Sequence, residues 1–238
     1  MSIEIWRVEL DCSASALAEA ERAMGLLSEP EAARAAAIKD AHDHSRWSAS
    51  HIALRLLIER ACGGQIRRQP FVIAPGGRPE LDGAPVSFSL SHSGDVAMIA
   101  ICSAGAGPIG IDVECARSLL LAPERRVRIE AYGLDLAPGR DLPETSEARL
   151  LQSWVRIEAH AKASGIGLGQ TLTQAGLMGS SAAGELGNRA GAGYNVRDLD
   201  AGAGYYAAVA ARVLPENLKV DAFPCGRDGV FDLLPGHL

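Results

Sequence analysis

The residues most suggestive of chemistry are acidic side chains in two short segments of the chain. Asp112 and Glu114 alternate in IGIDVE, and Glu158 lies in WVRIEAHAKASGIGL, one helical turn before Lys162. Helical spacing predicts an inward face formed by Leu151, Trp154, Glu158 and Ala161. Charged side chains are rarely buried unless they are paired or bind a metal. We therefore expect Glu158 to have a partner elsewhere in the chain.

Two carboxylates on one face of a strand favour a cation between them. As a strand, IGIDVE places Gly110, Asp112 and Glu114 on one face, where the two carboxylates repel each other. Oxygen ligands of this kind suit Mg²⁺, and Gly110 is expected to let a bulky anion approach the backbone. If the helix packs on this strand, Glu158 adds a third carboxylate to the predicted Mg²⁺ site. The alternatives are a solvated strand face and a surface ion pair between Glu158 and Lys162.

The composition is that of an ordinary globular protein. The 238 residues suffice for one large domain or two small lobes, and 47% of them are hydrophobic and 22% charged. The net charge of −6 argues against general nucleic-acid binding. The longest apolar run, VAMIAIC, is too short to cross a bilayer, and the N-terminus lacks a signal-peptide pattern. We expect a cytoplasmic protein that binds neither nucleic acid nor membrane.

The cysteines have no spacing typical of a disulfide framework or a zinc site. They are odd in number, they are scattered along the chain, and none of them forms a CxxC motif. We expect reduced thiols, as is usual in the cytosol. The five residues are Cys12, Cys62, Cys102, Cys115 and Cys225.

Two other motifs do not support the functions that they suggest. GAGPIG, residues 105–110, matches the dinucleotide fingerprint, but that fingerprint must open a helix, and here it precedes the strand pattern of IGIDVE. FSLSHSGD places Ser91 and His92 at a strand end beside a tight turn, without the GxSxG elbow of serine hydrolases. We expect neither a dinucleotide site nor a serine hydrolase.

The order of the predicted elements favours an α+β fold. In the first half a helix over HSRWSASHIALRLLIERACGG precedes the strands VSFSLSHS and VAMIAIC; in the second half the helix ending at Gly165 precedes YNVRDLD and YYAAVAARV. We expect two α+β lobes, residues 1–105 and 106–214, each with a long helix packed on a small antiparallel sheet. The tail at residues 215–238 has no strong pattern.

Local signals predict several boundaries of these elements. Ser28 and Glu31 have the spacing of a capping box at the start of a helix. The first long helix is expected to stop at Gly63-Gly64 and the second to begin at Thr145 or Ser146. The small-residue segment at 179–193 predicts a loop.

The motifs taken together resemble a known enzyme family. GGRPEL, FSLSHSGD, IGIDVE and WVRIEAHAKASGIGL, in this order, resemble the 4′-phosphopantetheinyl transferases of the large, monomeric, surfactin-synthetase type, over about residues 28–213. The resemblance implies a pseudo-twofold pair of α+β lobes. It also implies Mg²⁺-dependent transfer of the phosphopantetheine arm of coenzyme A to a serine of a carrier protein, with release of adenosine 3′,5′-bisphosphate.

The resemblance also implies roles for individual side chains. Asp112, Glu114 and Glu158 correspond to the Mg²⁺ ligands, and Lys162 to the helix lysine that contacts the phosphates. Asp112, Glu158 and Lys162 are therefore the implied catalytic residues, with Glu158 the first candidate for the base. The implied coenzyme A contacts are Arg46, Arg78, Ser91, His92 and Lys162.

The chain departs from the family pattern at one position of the helix. The family reads W-x-x-K-E, and Ile157 stands where the lysine is expected. Two alternatives therefore stay open beside the transferase. One is a non-catalytic module that binds coenzyme A or a carrier protein, and the other is a different Mg²⁺-dependent enzyme acting on pyrophosphates or phosphoesters. The sequence does not identify the carrier or its pathway.

Overall fold

Two β-sheets packed face to face form the centre of the molecule, and helices cover their outer faces. The computed structural model describes residues 2–62, 66–103, 105, 107–177 and 193–234. In chain order the elements are β1 (Ile3–Glu9), α1 (Leu10–Met24), α2 (Glu29–Ala36), α3 (Ala41–Cys62), β2 (Val72–Ile73), β3 (Pro79–Glu80), β4 (Val86–Ser93), β5 (Val96–Ser103), β6 (Ile109–Cys115), α4 (Pro123–Leu136), α5 (Ser146–Ser164), α6 (Leu168–Gln174), β7 (Asn195–Leu199), β8 (Tyr205–Ala211), β9 (Val220–Ala222) and α7 (Arg227–Asp232).

The first sheet has the strand order β4-β5-β1-β9. The tight turn predicted in FSLSHSGD is confirmed and joins β4 and β5 in a hairpin. Ser93 pairs with Val96 across the turn, and Gly94 takes the left-handed backbone conformation, with φ of 60°, that glycine adopts without strain. β1 runs antiparallel to β5 and parallel to β9. Helices α1 and α3 cover the outer face through a buried cluster that includes Leu17, Leu56 and Ile99.

The second sheet has the strand order β6-β8-β7, with all pairs antiparallel. Its inner face packs on the first sheet through apolar side chains such as Ile111 and Val209, which meet Ile5 and Met98. Its outer face is covered by α5. The alternation of β6 is therefore as predicted, with the isoleucines on the inner face and Asp112 on the face toward α5.

The arrangement confirms a mixed α+β fold in which each long helix, α3 and α5, packs on a sheet. A pseudo-twofold relation between two lobes stays a prediction. The expected stop at Gly63-Gly64 and the loop 179–193, apart from Gly193, lie outside the described residues. Within the described ranges, no helix is both long and apolar enough to span a membrane.

The predicted capping box at Ser28 and Glu31 is confirmed and belongs to a buried ionic group. The Ser28 backbone N–H donates to Glu31 at 2.9 Å. Arg55, which is 1% exposed, donates to the same carboxylate at 2.5 Å. Burial alone would raise the pKa of Glu31, but hydrogen bonds from His51, Arg55 and Ser28 outweigh this effect and lower the pKa to about 2. Glu31 thereby fixes α2 against α3.

The C-terminal tail, which has no strong sequence pattern, extends the first sheet. β9 pairs with β1 at its edge, and the Phe223 backbone N–H donates to Arg7 O at 2.8 Å. Helix α7 then packs on α1, with Val230 buried in the shared core. Segments this short have too little periodicity to be recognised without the edge strand on which they pack.

The expectation of five reduced thiols is wrong for Cys12 and Cys225, which form a disulfide. Their Cα atoms are 5.4 Å apart, although 213 residues separate them in sequence. No local spacing predicts such a pair, because the return of the tail to α1 is what brings the two sulphur atoms together. Cys62, Cys102 and Cys115 are free.

Helix α5 has the predicted ends, with the Thr145 side chain accepting a hydrogen bond at its N-cap and Gly165 in the left-handed conformation at its C-cap. Ile157 is fully buried and packs in an apolar cluster with residues of α4 and α6, among them Ile129 and Leu172. Position 157, where the resemblance implies a lysine, thus belongs to the core.

We expect Ile157→Lys to destabilise the protein by about 2 kcal/mol or more, because it places an ammonium group in this apolar cluster. Urea unfolding of the variant and the parent protein measures the difference. The matched control is Ile157→Leu, which conserves volume and is expected to cost less than about 1.5 kcal/mol. Equal stability of the lysine and leucine variants would contradict the placement of this side chain.

Candidate functional site

The site is built on a close contact between helix α5 and strand β6. A Cβ atom on Gly110 would lie 2.1 Å from Ala159 O and 2.5 Å from Ala163 N, so only glycine permits the helix backbone to come this near. The expectation that Gly110 admits a bulky anion is therefore wrong, since the helix itself fills that space. The contact instead places Lys162 directly over the strand.

Asp112 is the most buried acidic residue of the site, at 2% exposed. Its Oδ1 accepts a hydrogen bond from Lys162 Nζ at 2.7 Å and another from Ser91 Oγ at 2.7 Å. Lys162 Nζ also donates to Ile111 O at 3.0 Å. Asp112 Oδ2 is buried and has no hydrogen-bond partner among the described residues. Oδ1 thus has two hydrogen-bond donors, whereas Oδ2 has none and is available to bind a cation.

Glu114 lies two residues further along the same strand face and is held by different groups. Its Oε1 accepts from Arg117 at 2.8 Å and its Oε2 from Ser93 Oγ at 3.0 Å. Ser93 and Ser91 belong to a row on β4 that includes Ser89, which accepts a hydrogen bond from the Ile111 backbone N–H at 3.0 Å. These serines join the edge of the first sheet to the edge of the second.

Glu158 lies on α5 one turn before Lys162, and the negative charges of Asp112 and Glu114 act on it. Burial raises the pKa of Glu158 to about 7, and the negative charges of Asp112 and Glu114 add to the increase. Lys162 and a hydrogen bond from Trp154 act in the opposite direction without cancelling it. Glu158 thus titrates near neutrality, which suits a group that exchanges a proton or binds a cation.

The three carboxylates share one electrostatic environment, but their side chains do not converge on a single point. Among the described residues, no set of one oxygen from each of Asp112, Glu114 and Glu158 has all its members within 4.8 Å of one another. Lys162 Nζ donates a hydrogen bond to Asp112 Oδ1. An ammonium group therefore lies among the three carboxylates.

A cavity of about 460 Å³ opens beside Lys162 and Glu158. Residues from both halves of the chain line it. The first half contributes residues of α3, of β4 and of the segment that precedes β3, and the second half contributes residues of α5. Apolar walls include Phe71 and Leu168, and cationic groups include Arg78. The volume is in the range of small-molecule sites. Asp112 does not line the cavity, but it contacts Lys162, which does.

Arg78 lies at the junction of this cavity with the C-terminus of α5. Its Nε and Nη2 donate to Glu80, and its Nη1 donates to Ala163 O at 3.4 Å. The neighbouring Gly76 is required there, because a Cβ atom on it would overlap Gly165 O at 1.7 Å. The GGRPEL segment therefore folds directly against the helix that carries Glu158.

Three of the implied coenzyme A contacts lie outside the lining of the cavity: Arg46, Ser91 and His92. Arg46 is paired with Asp11 through two hydrogen bonds of 2.9 and 2.8 Å. His92 follows Ser91 on β4 and so faces the opposite side of the strand. His92 is exposed, yet its partial removal from water lowers its pKa, and the charges of His51 and Lys162 lower the pKa further.

Sequence reasoning missed several residues of the site. Ser93 and Ser89 could have been found from the period-two serines of β4, and Arg117 from its position three residues after Glu114. His51 lines the cavity, stacks on Trp47 with ring centroids 3.8 Å apart and contacts the buried Glu31. It carries no local signal, because it resembles any polar residue on an amphipathic helix.

The chain matches no protein-family model, and no curated protein sequence matches it significantly.

The raised pKa of Glu158 makes a prediction about stability. Because the folded-state pKa of about 7 exceeds the ordinary value of 4.5, the folded protein loses stability as the pH rises from 4.5 through 7. In metal-free buffer we therefore expect Glu158→Gln to be more stable than the parent protein at about pH 8, by on the order of 1–3 kcal/mol. The advantage should disappear near pH 4.

Urea unfolding at the two pH values measures this effect. The control is Glu147→Gln, which neutralises a half-exposed carboxylate at the start of the same helix, where it pairs with Arg126; it should lower stability by about 1 kcal/mol or less, at pH 8 as well. A Glu158→Gln protein that is less stable than its parent at both pH values would contradict the raised pKa of Glu158.

Proposed function

We propose that this protein transfers the 4′-phosphopantetheine arm of coenzyme A to a serine hydroxyl of an acyl or peptidyl carrier protein, releasing adenosine 3′,5′-bisphosphate. The observation that carries the proposal is the contact of Lys162 with Asp112 beside a cavity that Glu158 and Arg78 also line. Three motifs that are far apart in sequence supply these residues. Their association at one place supports a functional site over three unrelated surface features.

The donor set fits Mg²⁺. Asp112 Oδ2 is a buried oxygen without a hydrogen-bond partner among the described residues. Burial and the negative charges of Asp112 and Glu114 together raise the pKa of Glu158, and a divalent cation would relieve the repulsion among these carboxylates. Mg²⁺ is commonly bound by one or two carboxylates together with substrate phosphates, so it does not require all three side chains to meet. Asp112 and Glu158 would hold it, with Glu114 nearby. When bound, it would neutralise charge that develops on the pyrophosphate.

Lys162 and Arg78 give the cavity the cations that coenzyme A requires. Coenzyme A carries a pyrophosphate and a 3′-phosphate, and guanidinium and ammonium groups bind phosphate through charge-assisted hydrogen bonds. The Lys162 ammonium is held by Asp112 and is partly exposed toward the cavity. A phosphate arriving there would compete for it and draw it away from Asp112, which would free Oδ1 as a second ligand atom. The apolar wall at Phe71 would receive the uncharged part of the substrate.

The reaction needs one proton acceptor. The carrier serine oxygen forms a bond to the β-phosphorus of coenzyme A, the phosphoanhydride bond breaks, and adenosine 3′,5′-bisphosphate leaves. Glu158, whose pKa is about 7 without a metal, is our candidate for accepting the serine proton while it is not a ligand, because ligation of Mg²⁺ lowers the pKa of a carboxylate and prevents it from also acting as the base. The buried position of Ile157 bears on the departure from the family pattern: its side chain packs in the core, so Glu158 and Lys162 remain in place without the family lysine.

The direct test is incubation with coenzyme A, Mg²⁺ and a panel of apo carrier domains, followed by intact-mass measurement. We expect at least one carrier to gain the mass of the phosphopantetheine arm. Asp112→Ala should reduce the rate by at least about 100-fold, since it removes both a ligand and the partner of Lys162. Glu147→Gln, on the same helix outside the site, should remain active.

The other outcomes separate the alternatives. Binding of coenzyme A without any gain of mass across the panel would favour a non-catalytic module. Release of adenosine bisphosphate in the absence of a carrier would favour a hydrolase that acts on pyrophosphates. A fully active Asp112→Ala protein would contradict the assignment of this site.

A further inference from the structure

We infer that Cys12, Cys225 and Glu9 form a binding site for a thiophilic divalent cation of the Zn²⁺ type when the disulfide is reduced. One ligand atom from each of the three residues lies within 4.8 Å of the other two. The group is at the junction of β1, α1 and the C-terminal tail, and it shares no residue with the lining of the cavity or with the acidic site.

The backbone that presents these residues is fixed independently of the sulphur–sulphur bond. β9 pairs with β1, the Phe223 N–H donates to Arg7 O, and Arg227 donates to Glu19 at 2.6 Å. Val230 anchors α7 in the core that α1 also lines. The two cysteines therefore stay opposite each other after reduction, and the dithiol is preorganised.

The surroundings offer polar contacts to the sulphur atoms and leave the group within reach of solvent. The buried Ser13 directs its hydroxyl toward Cys225 Sγ at 3.8 Å, and Cys12 lies in the first turn of α1, where the helix dipole favours negative charge. Glu9 and Cys12 are exposed, and Cys225 is partly buried. Arg7 pairs with Glu9 Oε1 at 2.7 Å, which orients this carboxylate.

The ligand set determines the kind of cation. Two thiolates and one carboxylate suit tetrahedral Zn²⁺ with a water as the fourth ligand, whereas Mg²⁺ prefers oxygen ligands alone. A dithiol reductant supplies the two electrons that break the sulphur–sulphur bond, and it leaves as its own disulfide. Cation binding then releases two thiol protons to solvent and involves no further redox change. Disulfide and cation are therefore mutually exclusive states of one junction.

Co²⁺ titration of the reduced, chelator-treated full-length protein tests the inference. Thiolate ligation of Co²⁺ gives an intense near-ultraviolet charge-transfer band, and carboxylates give none. We expect this band to saturate at one Co²⁺ per chain, to be displaced by Zn²⁺ and to be absent from the disulfide form. It should be lost in Cys12→Ser and Cys225→Ser and weakened in Glu9→Gln, while Cys115→Ser and Asp112→Ala should retain it.

A second measurement uses only the parent protein and therefore does not require that any variant folds. In the reduced parent protein, Zn²⁺ should protect Cys12 and Cys225 from alkylation by iodoacetamide and leave Cys115 as reactive as before, as read by peptide mass mapping. No thiolate band at saturating Co²⁺, a band that survives in folded Cys12→Ser, or equal alkylation with and without Zn²⁺ would each overturn the inference.

Discussion

The separation between helix α5 and strand β6 is the constraint on which the candidate site depends. Gly110 allows the helix backbone to lie against the strand, and this contact puts the ammonium group of Lys162 within hydrogen-bond distance of Asp112. The same contact buries Glu158 near two like charges and raises its pKa. A larger residue at position 110 would push these groups apart, so the electrostatics of the site follow from a packing requirement.

The sequence alone predicts the parts of the fold that have strong local signals. The alternation of β6, the turn at Gly94, the capping box at Ser28 and the end of α5 at Gly165 are all confirmed. It does not predict features that depend on distant partners. The tail joins the first sheet only because β1 offers a free edge, and the disulfide of Cys12 follows from that return.

In the candidate site, too, local sequence signals predict some features, and others depend on residues that are distant in sequence. The residue types of Asp112, Glu158 and Lys162 and their spacing predict that they act together, and two of the three are in direct contact. The role expected for Gly110 was wrong, because sequence cannot distinguish a glycine that admits a ligand from one that admits a helix. The sequence likewise suggests that Ile157 removes a cation from the site, whereas the structure places this side chain in an apolar cluster. Residue types and spacing indicate which chemistry a side chain can perform, but the packing of the elements determines where the side chain points.

We propose that Asp112 and Glu158 bind one divalent cation, and electron paramagnetic resonance can measure this binding with Mn²⁺. We expect one strongly bound Mn²⁺ per chain in the presence of coenzyme A, competed by Mg²⁺. Asp112→Asn and Glu158→Gln should each weaken it by at least about tenfold, and Glu147→Gln should leave it unchanged. Mn²⁺ affinity that is the same in all four proteins would contradict the claim.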